Sequence, residues 1–232
     1  MIFIKNHIKG STIVTMKMST RARKPLKKLK RYYGNDTTEI QVGLDEAGRG
    51  SFFGPVFTAA VIMDPTLNDP EIDMIRDSKK LSRKKRNELR DYIENNAVAF
   101  SVQSCSAVIV DEINILQATY KSFHSCLKHL HELDVKFDRI LVDGENFKPF
   151  ACQIHNCIPK GDDEYVCIAA ASILAKTHHD DYIDNACIAD PTLDEKYNLK
   201  SNMGYGTKQH RDGIVVHGLS DGHRRTFCKK YV

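Results

Sequence analysis

Residues Gly43 to Ile62 read GLDEAGRGSFFGPVFTAAVI. At the entry to this stretch Ile40, Val42 and Leu44 alternate with polar or small residues, the period of two expected of a strand with one buried face. The strand runs into DEAGRG, Asp45 to Gly50, where two adjacent acids precede a glycine-flanked arginine. After Gly54-Pro55, the segment VFTAAVIM (Val56 to Met63) is rich in β-branched and small residues and predicts a second strand. A tight antiparallel pair with acids at its turn is the economical reading.

Working outward, Pro65 to Leu81 reads as loop and contains DSKKLS, Asp77 to Ser82. Ser82 is placed to cap a helix over Arg83 to Asn96, and Phe100 to Ala107 predicts a third strand. Ile113, Leu116, Tyr120, Phe123, Leu127 and Leu130 recur every three or four residues, an apolar stripe on a helix from Asp111 to Leu133. His124, His129 and His131 lie on that helix without an HExxH pairing and read as packing or solvent-facing residues. RILV, Arg139 to Val142, predicts a short buried strand that ends in Asp143-Gly144. A further strand is expected within Cys152 to Ile158, and Asp162 is expected to open a long helix. The small residues Ala169 to Ser172 in it allow close approach to a sheet. The order β-β-α-β-α-β-β-α describes an α/β domain with a mixed sheet.

Charge divides the chain. Of its 232 residues, the first 35 hold ten Lys and Arg and no acid, whereas residues 36–232 hold 24 basic and 30 acidic groups, a net of −6. The whole-chain charge of +4 therefore belongs to a basic arm, residues 1–38, attached to an acidic body, residues 39–232. A flexible arm that touches phosphates, a nuclear or organellar targeting segment, and a solvated tail all fit the arm's composition, and Met16 and Met18 leave the start of translation open. No apolar run reaches membrane-spanning length, and no fixed repeat is present. The seven cysteines are odd in number, scattered and without a CxxC pair, which reads as reduced thiols in a cytoplasmic or nuclear protein. Cys152, His155 and Cys157 are close together, but no second ligand pair stands at zinc-finger spacing.

Four acids sit at predicted element ends: Asp45 and Glu46 at the end of the first strand, Asp143 at the end of a core strand, and Asp162 before the long helix. Strand ends and adjoining helix N-termini are where α/β sheets gather ligands. Carboxylates converging in a partly buried cleft repel one another unless a cation neutralises them, and hard oxygen donors favour Mg²⁺ or Mn²⁺. Taken singly, Asp143-Gly144 also suits a turn and Asp162 an N-cap. Strand alternation points Asp45 and Glu46 to opposite faces unless the strand bends.

Gly43 to Ile62 closely resembles the opening of the ribonuclease HII family, the type 2 ribonucleases H. The likeness continues in order through DSKKLS, EINILQAT (Glu112 to Thr119), LVDGEN (Leu141 to Asn146), KGDDEYVCIAAASILAK (Lys160 to Lys176), GYGTKQH (Gly204 to His210) and HRRTF (His223 to Phe227). The resemblance implies a ribonuclease H-like fold, with a mixed five-stranded sheet flanked by helices, and an endoribonuclease needing Mg²⁺ or Mn²⁺. Its implied substrates are RNA–DNA hybrids, cut in the RNA strand, and duplex DNA containing single ribonucleotides, incised beside them to leave 3′-hydroxyl and 5′-phosphate ends. Asp45, Glu46, Asp143 and Asp162 match the family's metal ligands, and two ions would clamp the attacking and leaving oxygens.

The same resemblance assigns substrate binding to Gly48, Arg49 and Gly50, which would sense a 2′-hydroxyl, and to Tyr205, which would pack on the following deoxyribose. Lys79, Lys80, Arg224 and Arg225 are candidates for phosphate contacts. Where the family has Pro after the Gly-Tyr pair this chain has Gly206, which would loosen the Tyr205 loop. No sliding-clamp motif is seen near the end, and the family suggests a monomer. The competing readings are a catalytically inactive hybrid-binding module and another nuclease of the fold, such as ribonuclease HIII. With the arm outside the resemblance, deletion of residues 1–38 is expected to spare activity.

Overall fold

The computed structural model describes residues 5–8, 11–14 and 27–232. Two short strands, β1 (Lys5–Ile8) and β2 (Ser11–Val14), pair antiparallel. The domain itself is built on a five-stranded sheet of order β5-β4-β3-β6-β7. Its strands are β3 (Gln41–Ala47), β4 (Val56–Met63), β5 (Ala97–Cys105), β6 (Arg139–Asp143) and β7 (Ile154–Ile158). β3 pairs antiparallel with β4 and parallel with β6, so the sheet is mixed, and β4 spans the stretch expected from its sequence.

Helix α1 (Arg83–Asn96) forms where the sequence predicts it, with the Ser82 hydroxyl accepting from the Lys85 N–H. Helix α2 (Ala107–Glu132) starts four residues earlier than expected because Ser106 caps it. It is broken at Asn114, whose φ of 65° and ψ of 163° lie outside the helical region, and the Asn114 side chain recaps the helix by accepting from Gln117 N–H. Asp162 does not open helix α3 (Val166–Ala189). It lies on a 3₁₀ turn, Gly161–Asp163, entered through Lys160 in the left-handed conformation. Four short helices follow: α4 (Thr192–Tyr197), α5 (Leu199–Asn202), α6 (Lys208–His217) and α7 (Arg225–Cys228).

The sheet separates two halves of the core. On one face Val42, Leu44, Ala60 and Ile62 meet Phe123, Leu127 and Leu130 of α2. On the other, Ala59 and Val61 meet Ala169 to Ala175 of α3 and Leu89 and Ile93 of α1. Gly43 makes the second contact possible: a Cβ there would fall 2.3 Å from the Cys167 carbonyl carbon, so α3 packs backbone-to-backbone on β3. Helices α4 to α7 contribute to a separate apolar cluster around Phe53, Ile183 and Tyr197. No helix among the described residues is long and apolar enough to cross a membrane.

Of the basic arm, residues 1–38, positions 1–4, 9–10 and 15–26 lie outside the described residues. Residues 27–33 are strapped to the domain rather than free. Lys30 donates from its N–H to Glu164 O at 2.8 Å and accepts from Val166 N–H at 3.0 Å. The Lys27 ammonium donates to Asp163 O, Arg31 pairs with Asp73 at 3.1 Å, and Tyr33 N–H donates to the Gln41 side chain at 2.8 Å. Leu29 packs against the α3 side of the core. Charge composition gave no hint of this, because the main-chain bonds of Lys30 carry no composition signal and the acids that receive Arg31 and Lys30, Asp73 and Glu164, are distant in sequence. Leu29→Ala is expected to cost about 1–2 kcal/mol in urea unfolding, the loss for a half-buried aliphatic side chain. An unchanged midpoint would show that the strap does not contribute to the fold.

Candidate active site

Strand register brings the first two acids together. Leu44 pairs with Val142, so Asp45 and Asp143 follow side by side at the ends of two parallel neighbours. Strand alternation turns both toward α3, where the 3₁₀ turn presents Asp162. Carboxylate oxygens of Asp45, Asp143 and Asp162 all lie within 4.8 Å of one another. Asp143 also fixes the turn, accepting the Gly161 N–H at 2.7 Å. Glu46 does not join this triad. Alternation sends it to the α2 face, where it pairs with Arg49 at 3.3 Å and shares a pocket with Asp143, Thr119 and Tyr120. The strand therefore needs no bend, and one strand end supplies acids to both faces.

The charges show what the cluster lacks. Burial, then the neighbouring Glu46 and Asp143 charges, pushes the Asp45 carboxyl well above the usual range. Asp162 is pushed up to about 6 by burial and then by Asp143 and Asp77, and burial likewise raises Asp143 and Glu46. Burial works against the Lys79 ammonium, but Asp77, Asp45, Asp162 and Asp143 together outweigh it and raise its pKa. Lys79 beside the triad and Arg49 on Glu46 do not balance this many acids, which leaves net negative charge in a half-closed cleft. Close-set carboxylate oxygens, each disfavoured as an isolated anion, are the donor set of a hard divalent cation, so Mg²⁺ or Mn²⁺ fits.

Beside the triad, the loop Gly48-Arg49-Gly50 is held from three directions. Ser51 forms an antiparallel bridge with Tyr205, which brings the loop against the tyrosine. His179 underlies Gly48: at φ +79° a Cβ would sit 2.4 Å from the imidazole, so only glycine fits. The ring's Nδ1–H donates to Asp180 at 3.2 Å and its Nε2 accepts from the Ser51 hydroxyl at 3.3 Å. Ser51 and His179 are wholly buried, so this Ser-His-Asp trio has no access to substrate and acts as a fastening.

Arg224, expected at the phosphate surface, is also wholly buried. Its guanidinium donates to Gly54 O at 2.9 Å and Arg49 O at 3.0 Å, bracing the same loop from below. Arg225 is exposed, Lys80 is paired with Asp163 at 2.5 Å, and Lys79 faces the acids.

Tyr205 is set by a hydrogen-bonded chain whose direction chemistry fixes. Its carbonyl only accepts, so His210 Nδ1 donates to it, at 3.1 Å. The neutral His210 then accepts at Nε2 from His223 Nε2–H at 2.9 Å, and His223 Nδ1 accepts from Ser220 N–H at 3.0 Å. Burial lowers both imidazoles, His223 to about 4 with His210 adding to the effect, which keeps the chain neutral. Gly206 does not leave the loop slack: the Phe52 ring covers it and Arg211 donates to its carbonyl at 2.6 Å. Of these supports, His210 closes the quoted block GYGTKQH and His223 opens HRRTF. Ser51 lies within the quoted stretch Gly43 to Ile62, whereas His179 and Asp180 fall outside every quoted block.

Known proteins similar to this chain point to one family and one fold. A family model described as Ribonuclease HII matches residues 42–230. Ribonuclease HII of Parabacteroides distasonis is 42% identical over 192 residues, covering 83% of this chain and 92% of that protein. Among solved structures, ribonuclease H2 from Pyrococcus horikoshii OT3 superposes with a TM-score of 0.64 at 24% identity, over 82% of this chain and 96% of the other. Bst-RNase HIII in complex with Mn²⁺ superposes with a TM-score of 0.63 at 20% identity, over 84% and 69%. These last two likenesses establish the shared fold.

Two outcomes test the site's construction. The folded-state pKa of Asp162 lies above its unfolded value of about 3.9. Its contribution to stability is therefore fully present below about pH 4 and lost as pH rises through about 6. Without added metal, Asp162→Asn should be more stable than wild type at pH 7.5, on the order of 1–2 kcal/mol, and equal to it near pH 4. A variant less stable at pH 7.5 contradicts the repulsion. His210→Phe leaves the Tyr205 carbonyl and His223 N–H unpaired and should cost about 1–3 kcal/mol in urea unfolding. No loss would mean the chain does not hold the loop.

Proposed function

The chain belongs to the ribonuclease HII family, enzymes of ribonuclease H type acting on RNA–DNA hybrids, and we propose that it incises duplex DNA 5′ of single embedded ribonucleotides as well as the RNA strand of hybrids. The observation that carries the reading is the meeting of Asp45, Asp143 and Asp162 beside a loop and tyrosine suited to a sugar junction. The catalytic domain is read as residues 39–232, with residues 27–33 strapped against it.

Asp45, Asp143, Asp162 and Glu46 would hold divalent cations, Mg²⁺ or Mn²⁺, which supply the positive charge that activates water and stabilises the departing 3′-oxygen. The chain's own residues do the selecting. Gly50 is exposed and lets a sugar approach its backbone closely, where a 2′-hydroxyl both donates and accepts, while buried Gly48 makes the turn that presents it. Tyr205 offers an apolar ring beside that loop, on which a deoxyribose packs better than a ribose. Arg49 holds Glu46, keeping its carboxylate on the α2 side of the cleft. Lys79 supplies a cation toward the acids, and Lys80 and Arg225 remain candidates for outlying phosphates.

All four acidic positions are filled, which favours an active enzyme over a hybrid-binding module that has lost catalysis. The test is a duplex bearing one ribonucleotide, incubated with Mg²⁺ or Mn²⁺. Incision 5′ of the ribonucleotide, leaving 3′-hydroxyl and 5′-phosphate ends, is expected. Intact binding with no incision by either ion would sink the proposal. Tyr205→Ala should reduce cutting at the single ribonucleotide by about 10-fold or more relative to an all-RNA hybrid. Equal losses on both substrates would contradict a junction-reading role.

A further inference from the structure

We propose that a basic groove along α2 binds the phosphodiester backbone of the substrate beyond the reaction site. The inference rests on the nucleic-acid reading above and names a surface that the reading did not need. The groove has a volume of about 530 Å³ and is lined by Ile113, Gln117, Tyr120, Lys121, His124, Ser125, Lys128 and Lys148. No acid lines it, although residues 36–232 carry a net charge of −6. Lys121, Lys128 and Lys148 are exposed and, among the described residues, make no ion pair. By contrast Lys80, Lys85, Lys176 and Lys208 are each matched to a carboxylate.

The groove is continuous with the candidate active site. Tyr120 lines it and also lines the pocket formed by Glu46, Arg49, Asp143 and Gly144. Its far wall is fixed to α2, since a ring nitrogen of His124 lies 2.8 Å from the Lys148 carbonyl and can bond it only by donating. Phe147 packs edge-on against both Tyr120 and His124, so the loop bearing Lys148 is seated rather than hanging free. From Gln117 to Lys128 the helix rises roughly 16 Å at 1.5 Å per residue, comparable to about five nucleotide steps. Within that span Lys121 and Lys128 stand roughly 10 Å apart along the helix, about three nucleotide steps, and with Lys148 they make an uncompensated row of ammonium groups that matches a polyanion leaving the pocket along α2. Phosphate contacts of this kind position a duplex without reading its sequence.

The test is the triple variant Lys121→Gln, Lys128→Gln, Lys148→Gln in the full chain. Three lost phosphate contacts should make the slope of log K against log salt shallower by about 2–3 for a long hybrid, measured by fluorescence anisotropy in Ca²⁺. With Mg²⁺, KM for the long duplex should rise about 10-fold while kcat stays within about twofold. Shortening one flank of the duplex, and not the other, should erase the difference between variant and wild type. An unchanged salt slope, or a loss that persists with both flanks shortened, overturns the groove. Because binding is read without cleavage, a wild type that binds with the expected slope but does not incise would contradict the proposed function and leave the groove standing.

Discussion

Everything in this domain is arranged around one electrostatic problem: three carboxylates held within 4.8 Å of one another at the rim of a sheet. Parallel pairing of β3 with β6 is what creates it, since neighbouring strands in that register end in Asp45 and Asp143 on the same face. The Asp162 turn completes it and is itself held there by Asp143. An uncompensated cluster of this kind is unfavourable for folding, and the fold carries it on rigid elements: a buried strand pair, a helix packed backbone-to-backbone at Gly43, and the strap of residues 27–33 behind the turn. A fold that holds repelling groups so firmly is preorganised for a cation.

The second layer of the design concerns where a sugar would sit. Loop Gly48-Arg49-Gly50 and Tyr205 come from distant parts of the chain and are joined by the Ser51 bridge. Behind them stand Arg224, the Ser51-His179-Asp180 trio and the His210-His223 chain, all buried or nearly so. The C-terminal helices exist in this scheme largely to present these supports. The buried polar residues of the region thus find a common purpose in holding one loop and one ring.

Much of this was legible in the sequence. The apolar run Val56 to Met63 reports on local burial and forms its strand as read, whereas the alternation of Ile40, Val42 and Leu44 locates β3 but misjudges its burial: Ile40 is exposed ahead of the strand, and Gln41 and Asp45 are buried because helices cover both faces. Each acid singly also suits a turn or a cap, and the four were visible as a site because they match the family's blocks in order. What stayed hidden depends on contacts between distant residues. Arg224 reads as one of a basic surface pair, yet its guanidinium is aimed inward at two carbonyls 170 or more residues away in sequence. The strap at residues 27–33 reads as solvated charge because Lys30 is anchored through its main chain and the acids that pair with its cations, Asp73 and Glu164, are distant in sequence. Asp162 reads as a helix cap because the left-handed Lys160 and the tie to Asp143, which make the turn, leave no composition signal.

The central claim is that the triad is built for a divalent cation and is frustrated without one. Mn²⁺ binding at pH 6, followed by calorimetry in buffers of differing ionisation enthalpy, tests it directly. The account predicts that wild type binds Mn²⁺ with net release of protons from the raised carboxyls, and that Asp45→Asn loses most of that binding while remaining folded. Equal Mn²⁺ affinity in the two proteins, or binding without proton release, would contradict it.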